Sequence, residues 1–500
     1  MTNADASERD VLFVVMDTVR KDHLSVYGYD RPTTPGLEAF AEEAAVFEQA
    51  VAPAPWTLPV HASLFTGLYP NEHDANQENP YLEGATTLAE SLADTHASAC
   101  YSSNAWITPY THLTDGFDDQ DNFFQVMPGE ILSGPLAKAW KTMNDDERLR
   151  KAADWLVSVG NKFHEHFASG EGADSKTPQV IDRTREFVDG VDEDENFFAF
   201  VNLMDAHLPY HPPEEYRKEF APGVDSSEVC QNSKEYNCGA RDISDEEFDD
   251  IRGLYDAEIR HIDAQLERLF DSLREADRWE DTLVVVCADH GELHGEHDLY
   301  GHEFCIYDPL VNVPLMVKHP GLDAERYERQ VELLDLYHTV LDHAGVDPHD
   351  PDAVSLDDRR SLLSDDHREF DEGEFAFVEY SRPVVELKQL EQKASAAGIT
   401  VDRDSRFYSR MRAARRPDAK YVRNERIPDE AYRLDSDPGE TEDLAGGDDE
   451  AVAEVEAALS RFEDRVGGPW EGGAAGTDED VLDDMSEDAK DRLQDLGYID

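Results

Sequence analysis

The sequence predicts an α/β fold: a doubly wound, mostly parallel sheet with a small C-terminal α+β subdomain. Three observations lead there. Continuous apolar runs of strand length recur along the chain, helical patterns separate them, and the texture changes after about residue 347 to short strands among turn residues. Apolar runs without alternation mark strands covered on both faces. Strands that alternate with helices build parallel sheets.

The first run, "VLFVVM" from Val11, ends in Asp17. A second, "FFAFVNL" from Phe197, ends near Asp205, and a third, "TLVVVCA" from Thr282, ends in Asp289 and His290. "VPLMV" from Val313 is a fourth, with weaker candidates at 97–101 and around Val46 and Phe47. Helical patterns cover 35–43, 87–92, 177–190 and 245–276. In sheets of this kind ligands bind beyond the carboxyl ends of the strands, and three of the runs deliver Asp or His there.

Residues 1–347 form the main domain in this reading. Within it, 118–176 ("ERLRKAADWLVSVGNKFHEHF" and a Gly-rich stretch) read as a helical insertion or lid, in which His164 and His166 are exposed polar positions. Residues 348–446 carry "EFAFVEYSRP", "SRFYSRMRAARRPDAKYVRNE" and "AYRLDSDPGETEDLA", expected as a small antiparallel sheet. Residues 447–500 form an acidic tail, helical at 449–465 and expected mobile at 467–484, with a possible docking helix in the last stretch.

The charge balance is extreme: 112 acidic residues against 45 basic, a net charge of −67. Self-repulsion on that scale opposes a compact state, and molar salt, with a Debye length of about 3 Å, removes most of it. The composition therefore predicts a protein adapted to high salt. It excludes a nucleic-acid backbone partner, since no basic stripe offsets the field. No apolar run reaches the roughly 18 residues of a membrane span, and "MTNADASERD" has no signal-peptide pattern, so a soluble, cytoplasmic protein is expected. The five cysteines contain no CxxC pair and fit a reducing compartment, although Cys230 and Cys238 are close enough in sequence to bridge a loop.

The chemistry concentrates in two stretches. "DHGELHGEHDLYGHE" places His290, His294, His297 and His302 within thirteen residues, directly after Asp289. Carboxylate and imidazole at a strand end suit a divalent metal, and Gly291 and Gly295 let the backbone turn close to an ion. Asp289 and His290 are the expected ligands, with His302 a ligand or substrate contact. His294 and His297 are expected to bond within the loop or face solvent. Asp17 is the third metal ligand, against the plainer reading of a helix cap.

The other stretch is "APAPWTLPVHASLFTGLYP". Thr57 is followed four residues later by His61 and by a helix-like run. A threonine hydroxyl is a weak nucleophile without a base or a metal. A metal beside it lowers its pKa, as it does for bound water, and backbone N–H groups at a helix start favour an anion. Thr57 is therefore both candidate nucleophile and candidate metal ligand, and His61 a candidate proton donor or anion contact. By itself the position would read as a helix cap.

These residues resemble the sulfatase family of the alkaline-phosphatase superfamily. The similarity runs in order from Val11 to Ala445 through "VLFVVMDTVRKDHLSVYGYDRPTTPGLEAFAEEAAVFEQA", "TLPVHASLFTGLYP", "FVNLMDAHLPYHPP", "VVVCADHGELHGEHDLYGHEFCIYDPLVNVPLMV" and "YRLDSDPGETEDLA". The resemblance implies an alkaline-phosphatase/sulfatase-like fold, a metal-dependent ester hydrolase, and a nucleophile at Thr57. It also implies that His207 contacts the bound anion. Sulfatases convert a Cys or Ser to formylglycine in a Cys/Ser-x-Pro-x-Arg pattern. Here the matching residues are Thr57, Pro59 and His61, and threonine cannot yield that aldehyde. The usual Asp-Asp pair is Asp17 and Thr18, the usual lysine is His302, and the histidine before the central Met-Asp is Asn202.

These departures resemble the phosphodiesterases and phosphotransferases of the same superfamily. The expectation is attack of Thr57 on phosphorus, with His61, His207 and His302 neutralising developing charge. The cofactor is one or two divalent ions (Mn, Zn or Ca), and Asp205 or His207 could complete a two-ion site. The substrate is expected to be a small-molecule or a glycan- or lipid-type ester. Two alternatives stand: a sulfuric-ester hydrolase that uses Thr57 directly, and a non-catalytic anion-binding relative.

Overall fold

A computed structural model describes residues 9–123, 175–370 and 373–466. The strands are β1 (Val11–Met16), β2 (Ala45–Val51), β3 (His96–Ser102), β4 (Asp119–Asn122), β5 (Asn196–Leu203), β6 (Leu283–Cys287), β7 (Leu293–His294), β8 (Tyr300–Gly301), β9 (Asn312–Lys318), β10 (Arg326–Glu332), β11 (Ala376–Tyr380), β12 (Met411–Arg416), β13 (Ala419–Asn424) and β14 (Glu430–Tyr432). Eight of them form one sheet in the order β10-β2-β9-β6-β1-β5-β3-β4. β1 pairs in parallel with β5 and β6, β3 with β4 and β5, and β10 with β2. Only β9 runs against its neighbours, β2 and β6. The expected mostly parallel sheet is present.

Every residue of β1 and β6 is buried, which explains why their sequences show no alternation. Helices cover both faces. On one, the 31-residue helix Asp245–Glu275 packs with Thr177–Gly190 and Pro35–Phe40. On the other, Thr57–Thr66 packs with Leu88–Leu92 and Asp335–Ala344. The expected helices lie close to their predicted spans. At Leu88–Leu92 the start is set by a capping box: Thr87 Oγ1 accepts from Glu90 N (3.1 Å) and Glu90 Oε2 accepts from Thr87 N (2.8 Å).

β11 to β14 form a separate four-stranded antiparallel sheet. The helix Glu450–Arg465 covers it with Val452, Val455, Leu459 and Phe462. A helix not expected from the sequence, Val384–Ala396, lies between β11 and β12. The stretch 118–176 begins with β4, a polar edge strand paired to β3, while its residues 124–174, His164 and His166 among them, lie outside the described residues, as do 467–500. All five cysteines are buried and free, Cys230 and Cys238 included. Among the described residues no helix is long and apolar enough to cross a membrane.

Candidate active site

The register of the central strands assembles the site. Val15 pairs with Cys287 and Met16 with Leu203, so β1, β5 and β6 end level with one another. Two residues past the β1–β6 pair at Val15 and Cys287 stand Asp17 and Asp289, both fully buried. Asp17 N donates to Leu203 O at 2.9 Å, which extends the sheet by one residue at this point. Asp17 caps no helix: the next helical turn, Lys21–His23, has Arg20 at its N-cap.

Ligand atoms of Asp17, Asp289 and His290 lie within 4.8 Å of one another, all buried. The two carboxylates are used in the same way. Asp17 Oδ2 accepts from Asn104 Nδ2 (2.8 Å) and Asn202 Nδ2 (3.2 Å). Asp289 Oδ1 accepts from Thr18 N (3.2 Å) and His290 N (2.9 Å). Among the described residues Asp17 Oδ1 and Asp289 Oδ2 are buried with no hydrogen-bond partner. Burial first, and then the negative charge of Asp17, push the Asp289 carboxyl well above the usual carboxylate range. Two unpartnered buried carboxylate oxygens, on residues whose ligand atoms cluster with that of His290, fit a bound cation.

His290 completes the set. Its Nδ1–H donates to Gly291 O at 3.0 Å, which leaves the Nε2 lone pair for the site. Burial, and then His302, hold its pKa well below the usual histidine range, so the ring is neutral, as a metal ligand must be. Thr18, a β-branched residue, sits at φ 58° to bring its N–H to Asp289, a conformation such residues avoid. Gly291 is packed so closely that a Cβ there would lie 2.0 Å from Pro309 O. Gly291→Ala is therefore expected to displace this turn, lowering stability by about 1–3 kcal/mol together with kcat; a thermal melt and a turnover assay check both.

Thr57 is the first residue of the helix Thr57–Thr66, with Trp56 at the N-cap and no side-chain cap. The hydroxyl is thus not spent on capping. Its Oγ1 lies 3.5 Å from His290 Nε2 and accepts from Asn104 Nδ2 at 3.3 Å. His61 is fully buried, one turn along the same helix, with its ring edges against Phe65 and Phe200. Its Nδ1–H donates to Thr57 O at 2.9 Å, and burial pushes its pKa down to about 4 even though Asp17 acts to raise it.

His302 and His207 form the outer wall. The rings of His290 and His302 lie 4.6 Å apart and those of His302 and His207 5.2 Å apart. His302 Nδ1 meets Glu292 Oε1 at 3.2 Å. Burial works against a charge on His302, but Glu292 and Glu303 outweigh it and raise the pKa to about 9. Asp205, weighed as a further ligand, has other partners: Thr177 Oγ1 donates to its Oδ2 and His261 Nε2 stands 3.7 Å from its Oδ1. His294 meets the Tyr210 hydroxyl at 3.0 Å, and His297 stacks on Tyr307.

Asn104 and Glu292 were not singled out from the sequence. Asn104 bridges Asp17 and Thr57, and its amide is oriented by Trp106 N, which donates to Oδ1 at 2.8 Å. Its one legible signal is position, two residues after β3 ends.

The mostly parallel sheet thus holds a buried hydroxyl, two carboxylates and an imidazole at its carboxyl edge. The chain belongs to the sulfatase family, whose family model, "Sulfatase", matches residues 9–346. It is similar to an arylsulfatase of Clostridium perfringens, with 23% identity over 76% of this chain and 84% of the relative. It is also similar to the multifunctional alkaline phosphatase superfamily protein PehA of Trinickia caryophylli, with 26% identity over 88% of this chain and 92% of the relative. The crystal structure of a phosphonate monoester hydrolase of Agrobacterium radiobacter shares the fold, with a TM-score of 0.63 and 22% identity, covering 91% of this chain and 95% of that one. Superfamily members are metal-dependent.

Proposed function

We propose that the chain is a metal-dependent phosphoester hydrolase that acts on a phosphodiester or phosphomonoester through a covalent Thr57 intermediate. One observation carries this reading: the position beside Asp17, Asp289 and His290 holds a threonine, uncapped and with its Oγ1 3.5 Å from His290 Nε2. A divalent ion held by Asp17, Asp289, His290 and the Thr57 oxygen would offset the paired carboxylates and favour the alkoxide. Thr57 Oγ attacks phosphorus, its new P–O bond forming as the bond to the leaving alcohol breaks. Water then cleaves the phospho-threonine and restores the hydroxyl. Formylglycine hydrate can instead expel its ester by breaking its own C–O bond, a route closed to threonine.

In this proposal His302, whose pKa is raised to about 9 by Glu292 and Glu303 against the effect of burial, protonates the leaving oxygen and offsets the developing charge, with His207 beside it. His61, bonded to Thr57 O through Nδ1, supports the helix's first turn and keeps Nε2 for the bound anion. Asn104 orients both Asp17 and Thr57. The fold shared with a phosphonate monoester hydrolase supports this reading.

The second reading, a sulfuric-ester hydrolase using Thr57 directly, is favoured by the similarity to an arylsulfatase. Assays of bis-aryl phosphate, aryl phosphate and aryl sulfate with Mn²⁺, Zn²⁺ or Ca²⁺ separate the two. Phosphoester turnover well above sulfate turnover is expected, and the reverse order overturns the proposal. With a net charge of −67, the protein is also proposed to need salt. Its melting temperature is expected to rise steadily from 0.1 M-range to molar KCl, where the Debye length falls from about 10 Å to about 3 Å. A melting temperature that does not change with KCl would count against salt adaptation.

A further inference from the structure

Between the two sheets lies a buried ionic cluster that no ester chemistry requires. Asp308 opens the short helix Asp308–Val311. Arg415, from β12, donates to its carboxylate from Nε (3.1 Å) and Nη2 (2.7 Å). Lys420, from β13, donates to Asp308 Oδ1 (3.2 Å), Ile306 O (2.5 Å) and Glu440 Oε1 (2.8 Å). Glu440 Oε2 accepts from Asp308 N at 2.6 Å. Arg415 also reaches Gln330 Oε1 and Gln49 Oε1, both at 2.7 Å, in the main sheet. Arg415, Lys420 and Glu440 are each at most 1% exposed.

What this cluster holds is the floor of the candidate active site. Leu310 O accepts from Gly291 N at 2.8 Å, and Pro309 O presses on Gly291, the residue after His290. Val311 O accepts from Ala52 N at 2.8 Å, and Glu379 N, in β11, donates to Pro53 O at 2.8 Å. The same C-terminal sheet therefore fixes both the Asp289–His290 turn and the segment that leads into Thr57.

We infer that Asp308, Arg415, Lys420 and Glu440 are positioning residues of the reaction, setting the Asp289–His290 turn against Thr57 from the C-terminal sheet. The inference rests on the reading that those three residues carry the chemistry. The double variant Lys420→Met/Glu440→Gln removes one charge of each sign, leaves Asp308 paired with Arg415, and avoids a stranded buried charge. Its kcat for bis-aryl phosphate is expected to fall about tenfold or more, with KM changed far less. Mn²⁺ affinity, measured calorimetrically without substrate, is expected to weaken by a similar factor. A cooperative melt, with normal kcat and normal Mn²⁺ affinity, would overturn the inference and leave the cluster a purely structural tie.

If the double variant does not fold, Glu440→Gln alone keeps the side-chain shape and one acceptor. It is then expected to lower kcat and Mn²⁺ affinity together, and unchanged values overturn the inference. Failure of the underlying reading shows separately, as undiminished turnover by Thr57→Ala.

Discussion

Replacing Thr57 with alanine is expected to lower kcat by at least about 10⁴-fold while the melting temperature changes little. The loss is that of a nucleophile, for which removal leaves only the rate supplied by binding and charge stabilisation. Thr57 caps nothing and sits at the first position of its helix, where alanine propagates the helix well. The hydroxyl's hydrogen-bond donor, Asn104 Nδ2, keeps its other partner at Asp17 Oδ2, 2.8 Å away. The stability cost is therefore small, on the order of 1 kcal/mol for one lost hydrogen bond. Thr57→Ser keeps an attacking oxygen and is expected to retain measurable turnover. Trapping phosphorus on residue 57 by rapid acid quench and mass spectrometry would identify the intermediate. A Thr57→Ala enzyme that retains its rate would sink the covalent mechanism.

The sequence made the centre of the molecule legible and its edges obscure, for a physical reason. β1 and β6 are covered on both faces and read as unbroken apolar runs, and the acids at their ends announce the site. β4 ("DQDN") and β10 ("RYERQVE") are the outermost strands, half-solvated and polar. They carry no hydrophobic period to distinguish them from loops. The helix Val384–Ala396 buries only Val384, Val385, Leu387, Leu390 and Ala394, a stripe too thin to stand out among neighbouring short strands. Asp17, Thr57, Asp289 and His290 were legible because strand ends and motif spacing coincide there. Asn104 was not: a lone asparagine follows a weak strand, and its partners Asp17 and Thr57 are 87 and 47 residues away. Asp205 shows the converse, since it follows a strand as Asp17 does, yet its carboxylate is spent on Thr177.

Asp289→Asn tests the cation directly, and its effect on stability has opposite signs with and without metal. In metal-free protein the folded-state pKa of Asp289 is raised, by burial and then by Asp17. A raised folded pKa means that stability is fully present below the unfolded value of about 3.9 and is lost as pH rises through the folded value. At neutral pH the metal-free wild type therefore carries the cost of burying that carboxylate's charge or of protonating it. Asparagine keeps the acceptor for Thr18 N and His290 N while removing that charge, so the metal-free variant is expected to melt no lower than wild type at pH 7.5. Added Mn²⁺ reverses the order. At one hundred times its dissociation constant it stabilises wild type by about 2.7 kcal/mol, whereas the variant, missing one of the four proposed ligands, gains little. Turnover is expected to fall by roughly 10³-fold, the scale of losing a principal charge-stabilising group. Melting curves of both proteins in chelator and in Mn²⁺ decide the matter. A variant that gains as much from Mn²⁺ as wild type would remove Asp289 from the ligand set. A wild type that gains nothing from any divalent ion would leave the paired carboxylates of Asp17 and Asp289 without the counter-charge on which the proposed chemistry depends.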